Sequence, residues 1–458
     1  MNKNLQTKII KKIEEHRNIF ISGPAGVGKT TLTQEIASAF DNVVVLAFSG
    51  IAAANIGGQT IHSFFQLPLY SQQELNPLYR KKLQTIAATK LIVIDEVSMM
   101  PKHVLDWIEE RISEAGSNAT FLFVGDYYQL SPIATDGAEP EYAFESEYWQ
   151  RLNVLNVELN IIKRTKNHEF MEVLKDIRVA NVTPAARAYL RGMNESVPNA
   201  KTATQLYSTN KKVEEVNSRY LNQLPGDIEF FPYKQELFLQ TDDAYFQRFI
   251  KNLPITQTLK LKPGAQIILT FNNKDAGIYN GKKTEIQSID DGLITTVDGY
   301  NIQPMEYECL KFTSTYNKNS KKTSIKEKKV GVVYQYPIKL AYALTIHKSQ
   351  GMSIDGLIVD LTKTFAAGQA YVAISRAVDP ANTQLILPTQ RTIEDLFFHD
   401  EKVAQFYAQI DYEIVEEESA KVLNTELDME LLLQLQNIAK NGGTDINSLL
   451  RELLPATV

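Results

Sequence analysis

Residues 23–30 (GPAGVGKT) fit the phosphate-binding pattern G-x-x-x-x-G-K-[ST], and their flanks restrict the fold more than any other part of the chain. The apolar stretch Asn18–Ser22 precedes the pattern and is typical of a buried strand. Thr31–Phe40 follows it with apolar residues at helical spacing. A strand, a glycine-rich turn and a helix start in this order point backbone N–H groups and the positive end of a helix at an anion. The segment therefore predicts an α/β sheet that carries a nucleoside triphosphate site.

The polar groups of this loop suit a triphosphate bound to magnesium. Glycine lets the backbone close around phosphate oxygens, because no Cβ stands between its N–H group and the anion. Lys29 would reach the β- and γ-phosphates, and the Thr30 hydroxyl would bind Mg²⁺. The residues expected to contact the nucleotide here are Gly23, Gly26, Gly28, Lys29, Thr30 and Thr31.

A second motif lies at the end of the apolar run Leu91–Ile94, which predicts a central parallel strand. Ligands bind beyond the carboxyl ends of such strands. Asp95 would therefore hold Mg²⁺ through water, and Glu96 would polarise the water that attacks the γ-phosphate. Phe121–Gly125 repeats the pattern, and Gln129 after it would sense the γ-phosphate. A capped strand end is the alternative interpretation of Gln129.

Several apolar segments of this kind predict two α/β domains, in agreement with a length of 458 residues, which is too long for one core. The first set predicts a doubly wound parallel sheet and comprises 18–22, 43–47, 91–95 and 121–125. The second set predicts another α/β domain and comprises 206–208, 266–270, 336–343, 356–360 and 383–387. Within the second set, between 266–270 and 336–343, residues 284–335 alternate apolar residues with Asp-Gly turns, which predicts a small β-barrel insertion.

The net charge of −6 argues against a nucleic-acid partner when it is taken alone, but the acidic residues are concentrated in the tail. Residues 411–458 contain ten acidic and three basic side chains, so the rest of the chain carries a net charge of +1 and can present a basic groove. Residues 311–329 hold seven lysines and one acid. A solvated loop and a finger that follows a phosphate backbone are both compatible with that composition.

Cysteine content and hydropathy restrict the compartment. The single cysteine, Cys309, excludes an intramolecular disulfide and a cysteine-based zinc cluster. We expect neither a signal peptide nor a membrane span, because the first residues are polar and no long apolar run occurs. The expected location is the cytoplasm, in association with the nucleoid.

Six motif blocks in a fixed order resemble those of the superfamily 1, class B DNA helicases, and most closely the Pif (petite integration frequency) helicase family. The resemblance extends from about residue 5 to residue 388. The blocks are 23–30, 48–65, 95–96, 125–130, 344–352 and 371–377.

The resemblance implies an architecture and an activity. The fold would be α/β, with two RecA-like P-loop motor domains at 1–185 and 186–410. The first would contain a wedge insertion at about 66–83, and the second an SH3-like β-barrel insertion at about 284–337. A short helical, acidic appendage would occupy 411–458. The family implies an ATP- and Mg²⁺-dependent helicase that moves 5′→3′ on single-stranded DNA and unwinds duplex, forked and G-quadruplex DNA.

The resemblance also assigns roles to single residues. Gln6 would read adenine, and Gly351 would lie at the phosphates when the cleft closes. Arg164 from the first motor domain and Arg376 from the second would contact the γ-phosphate; arginine suits this role because its charge is permanent and spread over a fork. The residues that the family places on the DNA-facing side are Thr60, His62, Phe64, His347 and Lys348.

Two departures from the family pattern affect these assignments. Thr165 follows Arg164 where the family usually has glutamine, and Ser131 stands where proline is common.

On the DNA side, Phe64 would offer a flat face to bases, since stacking on an aromatic ring tolerates any sequence. Phe65, in contrast, is expected to pack in the core.

Other functions stay open at the level of sequence. One alternative is an ATP-gated scaffold that binds single strands without unwinding them, and another is a RecD-like subunit that partners an exonuclease. The chain is expected to act as a monomer, with the acidic tail as a packed helical hairpin or a dimerising appendage.

Overall fold

We describe the fold from a computed structural model of the chain. The structure describes residues 3–416 apart from 49–51, 54–55, 69–74, 133–138, 197, 199–202, 239–241, 254, 272, 274–275, 279 and 318–321. Lys3–Val415 forms one compact unit. The predicted helical appendage beyond residue 416 lies outside the described residues.

The α-helices in the described part of the chain are numbered in chain order. They are α1 Lys3–Glu14, α2 Lys29–Ala37, α3 Ile61–Phe65, α4 Arg80–Ala88, α5 Lys102–Ala115, α6 Glu147–Arg151, α7 His168–Arg178, α8 Pro184–Glu195, α9 Asn210–Gln223, α10 Asp243–Asn252, α11 Gln369–Ile374 and α12 Glu401–Gln409.

The strands are numbered in the same way. They are β1 Ile19–Ser22, β2 Val43–Ala47, β3 Gln59–Thr60, β4 Leu91–Asp95, β5 Thr120–Gly125, β6 Leu155–Glu158, β7 Thr204–Tyr207, β8 Glu229–Pro232, β9 Lys234–Leu237, β10 Thr258–Leu261, β11 Gln266–Leu269, β12 Lys283–Asp290, β13 Leu293–Thr296, β14 Asn301–Ile302, β15 Met305–Asn317, β16 Lys322–Gln335, β17 Ile338–Leu340, β18 Ala343–Thr345, β19 Leu357–Asp360, β20 Thr383–Ile386 and β21 Tyr412–Val415.

The first sheet is parallel throughout and has the strand order β21-β6-β1-β5-β4-β2-β3. Successive side chains of a strand point to opposite faces. Ile92 and Ile94 accordingly pack with Phe121 in one buried cluster, while Leu91 and Val93 belong to another. Both faces are thus covered, as a parallel sheet requires, and the predicted continuous apolar strands β1, β4 and β5 are confirmed.

A second parallel sheet has the order β18-β7-β19-β20. Helices α9 and α8 pack against its two edge strands, α9 on β18 and α8 on β20. The predicted strands near residues 206, 356 and 383 are found in this sheet.

Two segments that we expected in the second parallel sheet lie elsewhere. Gln266–Leu269 pairs antiparallel with β12 and β17, within a five-stranded sheet of order β14-β13-β12-β11-β17. The segment predicted as one strand over 336–343 divides, because its first part, β17, joins this antiparallel sheet and only Ala343–Thr345 joins the parallel one. Both expectations were wrong because apolar strand residues do not specify their partner strand.

The antiparallel region is larger than the expected insertion at 284–337. Besides the five-stranded sheet it contains a three-stranded sheet, β15-β16-β9, and a two-stranded sheet, β10-β8. Its strands run from Glu229 to Leu340, so the expected boundary near 284 falls inside one sheet. The lysine-rich residues 311–317 and 322–329 belong to the β15–β16 hairpin.

The expectation that everything after residue 410 lies outside the motor was also wrong. Tyr412–Val415 adds a parallel edge strand to the first sheet by pairing with β6. The preceding helix α12 places Val403 and Phe406 in the aromatic core under that sheet. The chain therefore returns to its first domain after completing the second.

The predicted wedge at 66–83 is described only in part, because residues 69–74 lie outside the description. Arg80 begins helix α4, which packs on α5 and on the β15–β16 hairpin. In the described part of the chain, no helix combines the length and apolar character that a membrane span needs.

Candidate active site

The predicted nucleotide residues meet at one edge of the first sheet. Strands β6, β1, β5 and β4 are neighbours and parallel, so their carboxyl ends lie side by side. The phosphate loop follows β1, Glu96 follows β4, Asp126 follows β5, and the segment with Arg164 follows β6. The edge thus collects a glycine-rich anion-binding loop, carboxylates and an arginine.

The phosphate loop leads directly into α2, which begins at Lys29. Gly26 has a φ of 85°, and a Cβ there would lie 2.8 Å from Cβ of Arg164, so the close approach of these two segments requires glycine. The Lys29 ammonium donates to the carbonyl oxygens of Gly23 (2.7 Å) and Pro24 (3.1 Å). The Lys29 side chain therefore turns back onto the phosphate loop, which it is expected to assist in binding phosphate.

Asp95 is buried, and Glu96 next to it is half-buried with a strained backbone. Glu96 has a φ of 51°, a left-handed conformation that is uncommon outside glycine and that clusters at functional sites. Its backbone N–H donates to Oδ1 of Asp95 (2.9 Å). Burial raises the pKa of Asp95, and so does the adjacent Glu96 charge. Burial also raises the pKa of Glu96, against the opposing charges of Lys29 and Arg376.

Side chains of the second domain reach this pair and the loop. The Gln350 amide donates to Oε2 of Glu96 (3.0 Å). Arg164 reaches in the other direction: its Nε donates to Oγ of Ser353 (3.0 Å) and its Nη1 to the carbonyl of Ser375 (2.5 Å). The two domains are therefore joined by hydrogen bonds at the nucleotide site itself.

Arg376 lies at the end of α11 and is almost fully buried. Its Nε donates to the carbonyl of Val372 and its Nη2 to Oγ of Ser375, each at 2.9 Å. Burial lowers the pKa of Arg376 to about 10, while Tyr371 and Glu96 act in the opposite direction. The predicted pair Arg164 and Arg376 thus converges on Ser375, one arginine from each domain.

Asp126 lies at the centre of a buried network below the loop. Arg178 of α7 forms a forked ion pair with it, from Nε (3.1 Å) and Nη2 (2.9 Å). The Gln129 amide donates to Oδ2 of Asp126 at 3.2 Å, the oxygen that also accepts from Nε of Arg178. Burial opposes ionisation of Asp126, but the charges of Arg178 and Lys29 hold its pKa below the ordinary value. Gln129 is thus anchored next to the loop, and Arg178 is a residue that the sequence did not reveal.

Helix α11 contacts the first domain at two further points. The backbone N–H of Ala25, inside the phosphate loop, donates to the Tyr371 hydroxyl at 2.9 Å. Gly368 precedes the helix with a φ of 70°, and a Cβ there would lie 2.4 Å from the carbonyl oxygen of Gln129 and 2.6 Å from that of Tyr128. Only glycine lets the helix approach this closely.

The residues present fit magnesium. Oxygen donors from a carboxylate and a hydroxyl, completed by water and substrate phosphates, are what Mg²⁺ prefers. Asp95 and Thr30 supply those donors, and a bound cation would oppose the burial and the Glu96 charge that raise the pKa of Asp95. The described residues contain no cluster of three or more His, Cys, Asp or Glu side chains that could hold a metal ion.

The remaining nucleotide residues are less constrained. Thr30 and Thr31 are exposed in the first turn of α2, and Gln6 is partly buried on α1. Gly351 has a φ of 77° and open space around its Cβ position. Gln350, beside it, makes the contact to Glu96 and was missed, although it belongs to the same motif block.

On the predicted DNA-facing side, the Thr60 hydroxyl caps α3 by accepting from the N–H of Ser63. Burial lowers the pKa of His62 to about 4, so at neutral pH its ring is uncharged and offers a phosphate only a neutral donor. His347 and Lys348 are exposed in a short 3₁₀ turn.

The expectation that Phe64 stacks on a base was wrong. Its ring is fully buried and packs edge-on against Phe65, with the ring centroids 4.9 Å apart. Lys82 covers it, with its ammonium 4.1 Å from the ring centroid. Phe65 is buried in the core as expected.

A cavity of about 400 Å³ lies between the Thr60 segment and the antiparallel insertion. Its walls include Ser63 and, from α10, Tyr245, Arg248 and Phe249. Aromatic rings next to a cation suit single-stranded nucleic acid. Sequence reasoning missed these α10 residues because they match no motif block.

Comparisons with known proteins identify the family. The family model described as PIF1-like helicase matches residues 1–186. The ATP-dependent DNA helicase Pif1 of Campylobacter jejuni is 33% identical over 443 residues, which cover 89% of this chain and 99% of that protein. The chain belongs to the PIF1-like helicase family. The resemblance to Pif helicases drawn from the motif blocks is confirmed.

Solved structures of Pif1 support the same assignment. The crystal structure of Bacteroides Pif1 in complex with ADP-AlF4 matches with a TM-score of 0.75 and 26% identity, over 88% of this chain and 95% of that one. Bacteroides Pif1 bound to single-stranded DNA matches with a TM-score of 0.60 and 26% identity, over 89% and 96%. The predicted α/β fold with two RecA-like motor domains is confirmed for this Pif1-family chain.

Proposed function

We propose that this chain uses ATP hydrolysis to move 5′→3′ along single-stranded DNA and to unwind duplex, forked and G-quadruplex DNA. Membership of the PIF1-like helicase family supports ATP-dependent DNA unwinding. The observation that carries the proposal is the convergence of both domains on one site, where Gln350 bonds Glu96 and Arg164 bonds Ser375. Occupancy of that site is thereby tied to the spacing of the two domains.

The residues divide the chemistry of hydrolysis among them. Loop N–H groups and Lys29 bind the phosphates of ATP, with Gln6 at the adenine. Thr30 and Asp95 would hold Mg²⁺, which would supply positive charge to offset that of the phosphates. Glu96 positions and deprotonates the attacking water, and its raised pKa suits a general base. The contact from Gln350 holds the carboxylate in place until the cleft opens.

The arginines make the reaction depend on domain closure. Charge develops on the γ-phosphate oxygens during transfer, and an arginine at this position stabilises it. Arg164 and Arg376 come from different domains, so both reach the phosphate only when the cleft is closed. Loss of the phosphate removes this contact, the domains separate, and the grip on the strand shifts.

Strand displacement on duplexes with opposite tails tests the direction of movement. With ATP, a 5′-tailed duplex and a quadruplex-bearing 5′-tailed duplex should be unwound, and a matched 3′-tailed duplex should not. Unwinding of the 3′-tailed duplex alone would contradict the polarity. DNA binding without unwinding of any of the three would favour an ATP-gated scaffold.

We expect Lys348→Ala to weaken binding of single-stranded DNA and to reduce its salt dependence. Each phosphate contact contributes a slope of about −0.7 in a plot of log affinity against log salt. Fluorescence anisotropy with a labelled oligothymidine, over a range of NaCl concentrations, should show one contact fewer in the variant. Lys175→Ala is the control, since Lys175 is an exposed side chain paired with Glu172 on α7. Equal slopes for Lys348→Ala and the unchanged chain would remove this residue from the DNA surface.

Gly368→Ala should lower kcat/KM for ATP by about tenfold or more. The added Cβ would collide with the carbonyls of Tyr128 and Gln129, and a left-handed alanine is also strained, at a cost of about 1–3 kcal/mol. Gly116→Ala separates the two effects, because Gly116 has a φ of 58° and open space around it. Steady-state ATPase assays of both variants decide the matter: equal losses in the two would show that backbone strain alone is responsible.

We further propose that the chain works as a monomer on DNA in the cytoplasm, associated with the nucleoid. The described unit contains both halves of the nucleotide site, so a second copy is not needed to complete it. Light scattering with a saturating oligonucleotide should give the mass of one chain. A mass of two chains that disappears on removal of residues 417–458 would assign dimerisation to the tail.

A further inference from the structure

The segment 400–415, which we call the C-terminal strap, follows the last motif block and yet lies against the nucleotide-binding domain. Asp400 caps α12 by accepting from the N–H of Lys402. Phe406 stacks on Phe144 with ring centroids 4.2 Å apart. The strap then ends as the edge strand β21, paired with β6. It is therefore an integral part of the first domain.

Tyr407 of the strap reaches the inner end of the nucleotide site. Its hydroxyl is 2.9 Å from Oγ of Ser22 and accepts from the backbone N–H of Tyr127 at 3.1 Å. Its ring stacks on Tyr128, with centroids 4.5 Å apart and planes 10° from parallel. The Arg178 guanidinium that holds Asp126 lies 5.6 Å from the same ring. Polar and stacking contacts therefore fix the hydroxyl from several sides.

Two partners of this hydroxyl, Ser22 and Tyr127, occupy the ends of neighbouring strands, and the hydroxyl also donates to Oδ1 of Asp126 at 3.5 Å. Ser22 pairs with Gly125 as the last register position of β1 and β5. Beyond that pair the ladder ends, and the chains become the phosphate loop on one side and the segment with Gln129 on the other. Tyr407 bonds Ser22 and Tyr127, so it joins the two segments where the sheet ceases to do so. Burial raises the pKa of Tyr407, which keeps its hydroxyl protonated and able to donate and accept.

We propose that Tyr407 is a positioning residue for ATP hydrolysis: its hydroxyl sets the spacing between the phosphate loop and the Asp126–Gln129 segment. The proposal rests on the ATPase activity proposed above. The partners of the Tyr407 hydroxyl are not among the residues expected to contact ATP, so Tyr407 acts through these two segments. The strap would thereby tie the integrity of the C-terminal region to the rate of the chemical step.

Tyr407→Phe in the full-length chain tests the proposal, since it removes the hydroxyl and keeps the stacked ring. We expect kcat for DNA-stimulated ATP hydrolysis to fall about fivefold, the effect of one hydrogen bond, with KM for ATP and the melting temperature almost unchanged. Tyr148→Phe is the matched control: Tyr148 lies on α6 of the same domain and contacts Phe121 near the amino end of β5, opposite the carboxyl end that carries the site. A kcat equal to that of the unchanged chain would overturn the proposal.

A double-mutant cycle with Ser22→Ala separates positioning from general stability. If the bond between the hydroxyls matters, the double variant should lose no more than the larger single loss. Additive losses, or losses that follow the melting temperature, would overturn the proposal and leave the strap a purely structural element. If Tyr407→Phe does not fold, Ser22→Ala alone tests the proposal. A lower kcat with an almost unchanged melting temperature would support it, and an unchanged kcat would overturn it. If the chain without substitutions showed no DNA-stimulated ATPase activity, the proposed function itself would be refuted.

Discussion

Glu96→Gln should lower kcat for DNA-stimulated ATP hydrolysis by a factor of about 10²–10⁴, the range that a general base contributes, and leave ATP binding intact. Glutamine has the size of glutamate and can still contact Gln350, but it cannot accept a proton from water. Removing a carboxylate that burial and Asp126 already disfavour in its charged form also relieves repulsion. Binding should therefore be equal or tighter, and the loss confined to the chemical step.

Single-turnover hydrolysis and binding of a fluorescent ATP analogue measure the two properties of Glu96→Gln separately. Glu110→Gln is the control for a change of charge, since Glu110 is exposed on α5 of the same domain. Turnover by Glu96→Gln at the rate of the unchanged chain would show that another residue activates the water.

Arg376→Ala should have the second large effect, a loss in kcat of about 10³–10⁵, as found for arginines that stabilise phosphoryl transfer. Arg376→Lys should restore little, because an ammonium lacks the planar fork of the guanidinium. In the structure this side chain is held by Val372 and Ser375, and its pKa is lowered by burial. Both facts are compatible with the proposed role, in which the guanidinium pairs with the γ-phosphate.

Steady-state ATPase assays with melting temperatures measured in parallel test Arg376, and Arg191→Ala on the exposed side of α8 is the control. If Arg376→Ala were folded and turned over ATP within a few-fold of the unchanged chain, the arginine that crosses the cleft would have to be Arg164 alone. The hydrogen bonds from Arg164 to Ser353 and Ser375 would then be the links to test.

The parts of the fold that sequence predicted well are those with local signals. The phosphate loop combines glycine spacing with its flanking strand and helix, and β4 is an unbroken apolar run before two carboxylates. Strand partners are not local, which is why Gln266–Leu269 was placed in the wrong sheet. The return of Tyr412–Val415 to the first sheet depends on pairing with β6, more than 250 residues earlier, and an acidic surrounding sequence concealed it.

The candidate site shows the same division. The motifs predict that Lys29, Asp95 and Glu96 lie at one edge of a sheet, and the structure places them there. Contacts between segments far apart in sequence, such as Gln350 with Glu96 or Arg178 with Asp126, carry no spacing signal.

Phe64 was a different kind of error, because its signal was present in the sequence. Ile61, Phe64 and Phe65 have the spacing of one helical face, and that face is buried. The apolar periodicity of this helix, and not the neighbouring His62, indicates the position of Phe64.

The most direct test of the central claim is the rate of ATP hydrolysis by the purified full-length chain with and without single-stranded DNA. Because a closed cleft is needed to bring both arginines to the phosphate, DNA that favours closure should raise kcat in a saturable manner. The increase should disappear in Arg376→Ala. An ATPase rate that is the same at every DNA concentration would contradict the coupling of hydrolysis to movement along DNA.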